Sequence, residues 1–138
     1  MDPCVFCRIL AGQVPSSRVL DSELVVAFLD IHPWNPGHTL VVPRRHVESF
    51  TDLTPVEVEQ LALCGQQIAR ALKQGFEGCE AVTFSLADGV VAGQDVPHTH
   101  LHVVPRRTGD GLGWRGTSQL QDRETLDAVA SRVRAALG

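Results

Sequence analysis

The segment Val96-Pro97-His98-Thr99-His100-Leu101-His102-Val103-Val104-Pro105 sets the terms to which the rest of the chain has to be fitted. Read as one strand from Val96 to Pro105, it sends successive side chains to opposite faces. His98, His100 and His102 then share a face at a spacing of roughly 6.5–7 Å, and Thr99, Leu101 and Val103 take the other. An imidazole has a polar edge that needs a partner wherever it is buried. Three in register are poor core filling and point to a site. Two chemistries suit them: a Zn²⁺ triad with an open position, or a neutral imidazole that attacks an electrophile while its neighbours steady the charge.

The flanking residues favour the second. Ala92-Gly93-Gln94-Asp95 offers a glycine where backbone N–H groups can approach an anion, and an amide that can donate to one. Pro105-Arg106-Arg107 brings positive charge to the strand's end. An imidazole can attack phosphorus, expel a leaving group and be released by water, a two-step covalent route that requires no catalytic metal.

Working outward, Leu24–Asp30 and residues 18–20 read as a hairpin, with Leu24 to Leu29 the stronger strand. His32-Pro33-Trp34-Asn35-Pro36-Gly37 is a turn by its Pro and Gly content, and His38–Pro43 is a further strand. Thr54-Pro55-Val56-Glu57 is a capping box with Pro at the first helical position. Val58, Leu61, Gly65, Ile68 and Leu72 follow at helical spacing, with Gly75 as the stop. Residues 81–86 alternate as a strand and Ala87–Gly93 is a loop. A last helix is expected over Arg123–Leu137 with Leu126, Val129, Ala130, Val133 and Leu137 inward. The expected class is α+β: an antiparallel meander with one long helix packed on it and a short helix at the end. At 138 residues, the chain suits a single domain spanning 1–138.

Composition narrows the function. Apolar residues at 43% and charged ones at 20% are globular values, which argues against disorder. No apolar run approaches the roughly 20 residues of a membrane span, and Met1-Asp2-Pro3-Cys4 lacks the basic and apolar regions of a signal peptide. A cytoplasmic protein is expected, with its four cysteines reduced. A net charge of −4 argues against coating a nucleic-acid polymer. The local pairs Arg44-Arg45 and Arg106-Arg107 suit a small anionic ligand better. Cys64 falls on the helical apolar face and Cys79 carries no signal, but Cys4-x-x-Cys7 has the spacing of half a tetrahedral Zn²⁺ site.

Gly93-Gln94-Asp95-Val96-Pro97-His98-Thr99-His100-Leu101-His102-Val103-Val104-Pro105-Arg106 resembles the signature of the histidine triad (HIT) family, with Thr99 less apolar than that pattern prefers. The likeness extends to Cys4-Val5-Phe6-Cys7-Arg8-Ile9, Phe28-Leu29-Asp30-Ile31-His32-Pro33 and Pro36-Gly37-His38-Thr39-Leu40-Val41-Val42-Pro43-Arg44-Arg45-His46. It covers residues 4 to about 107 and leaves 108–138 as a C-terminal extension. The resemblance implies a homodimer with strands of two subunits joined in one sheet. It also implies hydrolase or transferase activity at the α-phosphorus of purine nucleotide conjugates, either phosphoramidates or dinucleoside polyphosphates. By the same resemblance His100 is the nucleophile, and His102 and Gln94 contact the phosphate. The backbone carbonyl of His98 orients His100, and His38 supports the site. Asp30 receives the ribose hydroxyls, and Phe28 and Ile31 line the base pocket. Bacterial-type members with the N-terminal cysteine pair imply a structural zinc on Cys4, Cys7, His46 and His98.

This chain departs from the pattern at Ala87-Asp88-Gly89, where many relatives carry an asparagine in a stretch such as Asn-Asn-Gly. Asp95 stands where others have Ser, Thr or an acid, placed to accept the leaving amine's hydrogen or to shift the site's electrostatics. The alternative to an enzyme is a nucleotide-binding or scaffolding module that keeps the pocket without efficient catalysis. A metal enzyme using the three histidines directly would leave Asp30, Gln94 and the Pro-Gly-His stretch without a role. Trp114 is expected either to close over a partner subunit's site or merely to pack.

Overall fold

A computed structural model of the chain describes residues 2–113 and 119–137; Trp114 lies outside the described residues. The elements in order are helix α1 (Val5–Leu10), strands β1 (Arg18–Asp21), β2 (Val25–Leu29) and β3 (Thr39–Pro43), helix α2 (Pro55–Gly75), strands β4 (Ala81–Ser85) and β5 (Leu101–Arg106), and helix α3 (Arg123–Leu137). The class is α+β. All strand pairs are antiparallel in the order β1-β2-β3-β5-β4. The first three strands form the expected meander. Helix α2 then carries the chain to the far edge, and β5 returns between β4 and β3.

The central strands are buried on both faces. Val25, Ala27, Val41 and Val103 meet Leu61, Cys64, Ile68, Ala69 and Leu72 of α2. Val26, Phe28, Leu40 and Val42 meet Cys4, Phe6 and Ile9 at the N-terminus. Opposite Leu40 in the ladder sits His102, so the histidine side of β5 lies on the second face, under α1. The sequence reading has no helix over 5–10. A single helical turn and a half carries no periodicity to detect and is marginal alone, so packing holds it.

Helix α2 begins as its residues dictate. The Thr54 hydroxyl accepts from Glu57 N–H at 3.2 Å, and the Glu57 carboxylate accepts from Thr54 N–H at 2.9 Å. That carboxylate also receives Arg45 in two bonds, at 2.7 and 3.2 Å. The Arg45 guanidinium holds Glu57 down at about 2, against the cost of burying it. A carboxylate depressed on folding stabilises above its unfolded pKa of about 4.3, and that stability is lost as pH falls toward 2. Urea midpoints should therefore fall between pH 5 and pH 2.5, and Glu57→Gln should lower the midpoint at pH 7 while flattening that acid slope. An unchanged slope in the variant would show that other carboxylates govern acid stability.

Two expectations are corrected. The strand carrying the histidines begins at Leu101, not Val96. The Thr99 N–H donates to Val47 O at 2.7 Å and the His98 N–H to Val96 O at 2.8 Å, so the chain is turned there rather than laddered. Helix α3 spans the expected residues, but Leu126, Val129 and Leu137 are exposed, and no residue of the helix is buried. Its apolar stripe is genuine, but among the described residues it faces no core. Among the described residues no helix is long and apolar enough to cross a membrane.

Candidate active site

The turn before β3 builds one side of the site. Gly37 has φ +95°, and a Cβ there would stand 3.1 Å from the Phe76 ring, so only glycine fits the bend that delivers His38. Asn35, buried, donates to Pro105 O at 2.9 Å and to Asp110 at 3.0 Å, pinning the turn to the end of β5. His38 is fully buried, and its Nδ1 accepts from Trp34 N–H at 3.0 Å. The proton must then lie on His38 Nε2, which donates to His102 Nδ1 at 2.8 Å. His102 in turn carries its proton on Nε2. Trp34 lies flat on the His102 ring, with centroids 4.9 Å apart and 10° between planes.

His100 is oriented from the other direction. Its Nδ1 donates to the carbonyl of His98 at 2.8 Å, so the lone pair of the neutral ring lies on Nε2. Phe6 meets the ring edge-on at 5.1 Å. The Nε2 atom stands 3.4 Å from Asp95 Oδ1. Burial, with His100 and His38 beside it, pushes His102 down to about 4. Burial likewise lowers His38, partly offset by Asp30, whose Oδ2 lies 3.7 Å from His38 Nε2. Neutral His38 and His102 thus form a directed relay of N–H donors. It ends on His102 Nε2, beside the lone pair of His100.

A cavity of about 220 Å³ opens beside these rings, walled by Phe6, Ile9, Phe28, Asp30, Leu40, His100 and His102 among others. Phe28 is buried in its wall, whereas Ile31, on its rim, is 84% exposed. The structure therefore brings together His100, His102, His38, Asp30, Asp95, Phe28 and Ile31. It does not bring Gln94 to His100. The Gln94 amide donates to Glu48 O at 2.8 Å and Val96 O at 3.1 Å, and its oxygen accepts from Gly89 N–H at 2.7 Å, so it closes the loop that carries Asp95. Arg106 is held by Asp110 at 2.7 and 3.0 Å, with Thr83 and Leu112 O as further partners, so its charge is neutralised locally rather than turned to the cavity.

Behind His100 lies a second group. Cys4 Sγ, Cys7 Sγ, His46 Nδ1 and His98 Nδ1 all lie within 4.8 Å of one another, with four of the pairs at 3.3–3.6 Å. A zinc tetrahedron with Zn–S near 2.3 Å and Zn–N near 2.0–2.1 Å has edges of about 3.3–3.8 Å. The donor set fits. His98 Nε2 donates to Pro43 O at 2.9 Å, which leaves Nδ1 unprotonated on the ligand side. Burial and the adjoining Cys4 push the Cys7 thiol up to about 12, so ionising that pair calls for a cation.

The sequence reading missed Trp34 and Phe6 as ring partners of the histidines. Trp34 sits in a stretch whose Pro and Gly signal only a turn, and Phe6 stands between two cysteines that draw attention to themselves. Neither position carries a local pattern that reveals a contact made more than sixty residues away.

The HIT domain family matches residues 11–109. The crystal structure of a HIT family member from Bacillus subtilis superposes with TM-score 0.92 at 36% identity, covering 99% of both chains. That of a Zn-bound histidine triad family protein from Mycobacterium smegmatis gives TM-score 0.77 at 40% identity, covering 97% of both. A protein of Arabidopsis thaliana named Adenylylsulfatase HINT3 is 29% identical over 94% of this chain and 65% of its own length. With most of its length matched and its histidines placed as that signature requires, the chain belongs to the HIT domain family.

Proposed function

We propose that the protein hydrolyses, or transfers from, nucleotide conjugates at the α-phosphorus through a nucleotidyl–His100 intermediate, with purine nucleoside phosphoramidates or dinucleoside polyphosphates as substrates. The observation that carries this reading is a pair of independent hydrogen-bond chains: the His98 carbonyl takes the Nδ1 proton of His100, so that the neutral ring has its lone pair on Nε2, and Trp34 N–H acting through His38 directs the His102 proton to Nε2. The nucleoside occupies the cavity walled by Phe28, with Ile31 at its rim and Asp30 accepting from the ribose hydroxyls. His100 Nε2 bonds to phosphorus as the bond to the leaving group breaks, and His102 Nε2–H donates to a non-bridging oxygen as charge builds there. Water then displaces the imidazole, and the nucleoside monophosphate leaves. Quenching a reaction with an adenosine 5′-phosphoramidate and measuring intact mass should reveal an adenylyl adduct, located on His100 by peptide mapping. AMP binding without adduct or turnover on any conjugate would instead favour a binding module, which the absence of an amide at Ala87 supports.

We infer a structural zinc on Cys4, Cys7, His46 and His98, a reading supported by the donor geometry and by the Zn-bound relative. The metal would tie α1 to the sheet and fix His98, whose carbonyl orients the nucleophile. The reaction itself runs on the histidines.

A homodimer is the third part of this reading. Strand β4 is an edge of the sheet, and α3 holds an apolar stripe that the described residues of its own chain leave uncovered. Light scattering is expected to give twice the chain mass of 15.0 kDa; a monomer at micromolar concentration would count against it.

A further inference from the structure

Trp34 is half exposed and belongs to neither cluster of the core. Its indole nevertheless lies parallel to the His102 ring, whereas His38 and His100 meet that ring at 48° and 63°. Across the ladder His102 pairs with Leu40 on one side and Ser85 on the other, and a serine is too short to cover an imidazole. Trp34 takes that flank. With Thr83, Ser85, Val104 and Arg106 it walls an outer hollow of about 500 Å³, while His102 belongs to the wall of the cavity of about 220 Å³. The indole is thus a partition between the two. The bond from His38 at 2.8 Å fixes one atom of His102 but holds the ring plane loosely, because the torsion that turns an imidazole is broad. A tilt of roughly 30° would carry Nε2 about 1 Å from its aim.

We propose that the Trp34 side chain is a positioning residue: it holds the plane of His102 so that Nε2–H stays aimed at the phosphoryl oxygen on which charge builds, and it closes that ring off from the outer hollow. The inference rests on the nucleotidyl-histidine reading above and adds a residue to its transition-state half. Trp34 acts at both ends of the relay through different groups. Its backbone N–H, which any residue but proline supplies, starts the relay at His38 Nδ1 at 3.0 Å. Its indole braces the last ring. A change of side chain therefore removes the brace and keeps the tautomer. Phe28, Ile31 and Asp30 wall the cavity without Trp34, so nucleoside binding survives the change. What is lost is the preset aim of a donor whose worth depends on its position when charge develops.

The test compares Trp34→Phe, which keeps a smaller aromatic plane, with Trp34→Leu, which keeps apolar bulk and no plane, on an adenosine 5′-phosphoramidate. Trp34→Leu is expected to lower kcat by about tenfold or more with KM within about twofold, and Trp34→Phe to stay within about threefold of the wild-type kcat. In a His102→Gln background Trp34→Leu should cost less than about twofold, because no ring is left to hold. A second readout is independent of turnover. In the NMR spectrum the carbon-bound ring protons of His102 should lie upfield under the indole and move downfield in Trp34→Leu, and the His102 Nε2–H should exchange faster with water. Equal kcat losses for the two variants, full additivity with His102→Gln, or a raised KM at constant kcat overturns the proposal. If the wild-type chain turns over no conjugate, the nucleotidyl-histidine reading fails by itself and the His102 spectrum decides this one. Shifts and exchange rate unaltered in Trp34→Leu would then refute the brace, and altered ones would keep it.

Discussion

Replacing His100 by Asn is expected to cut turnover of an adenosine 5′-phosphoramidate by at least about 10⁴-fold while leaving AMP affinity within about threefold. The asymmetry follows from the division of labour in the site. In the proposed mode the nucleoside rests on Phe28, Ile31 and Asp30 of the cavity wall, contacts that the loss of the His100 ring leaves in place. Bond formation requires a lone pair at one atom, and His100 is the ring whose Nδ1 proton is taken by a backbone carbonyl, so that its neutral form carries the lone pair on Nε2. His102 cannot substitute, because His38 fills its Nδ1 and leaves a proton on the nitrogen that would have to attack. Single-turnover kinetics with calorimetry on the same preparation checks both halves. Wild-type turnover in the variant would remove the covalent mechanism. Unaltered thermal unfolding would establish that a drop in rate is chemical, a needed control because the ring packs against Phe6.

The second large effect concerns the cysteine pair. Cys7→Ser, or chelation of the wild-type protein, is expected to abolish stoichiometric zinc and lower Tm by about 10 °C or more, since metal binding to such a site is folding free energy. The loss should be local before it is global. Helix α1 has six residues and cannot hold its own hydrogen bonds against water, and its N-cap is Cys4. Amide exchange over residues 5–11 should accelerate first. Because Phe6 and Ile9 wall the cavity, AMP affinity should then fall as well, by about tenfold or more on the scale of one buried aromatic contact. The raised Cys7 thiol adds a sign. Zinc binding must displace protons, so apparent zinc affinity should rise as pH rises from 6 to 8. Protein that purifies without zinc and keeps its Tm in chelator would refute the structural metal.

How much of this lay open in the sequence differs from element to element. The capping box at Thr54–Glu57 and the apolar stripe of α2 are local patterns, and the helix formed with the cap bonds they require. The continuous apolar runs at residues 25–28 and 39–42 became the doubly covered strands. His98, His100 and His102 were legible as a group because alternation survives in outline even where the ladder does not, and the cysteine pair was legible by spacing.

The chain's local chemistry thus determined which residues make up the candidate site and which segments coil or extend, since hydrophobic period, caps and turn residues act over a few positions. Only the tertiary structure decided which nitrogen of each histidine holds its proton, because that depends on a carbonyl or ring brought from elsewhere in the chain. It also decided that Gln94 closes a loop rather than meeting His100, that Arg106 is neutralised by Asp110, and that α3 lies open. In each case a polar group or an apolar stripe has several admissible partners in sequence, and the folded geometry selects among them by distance and burial.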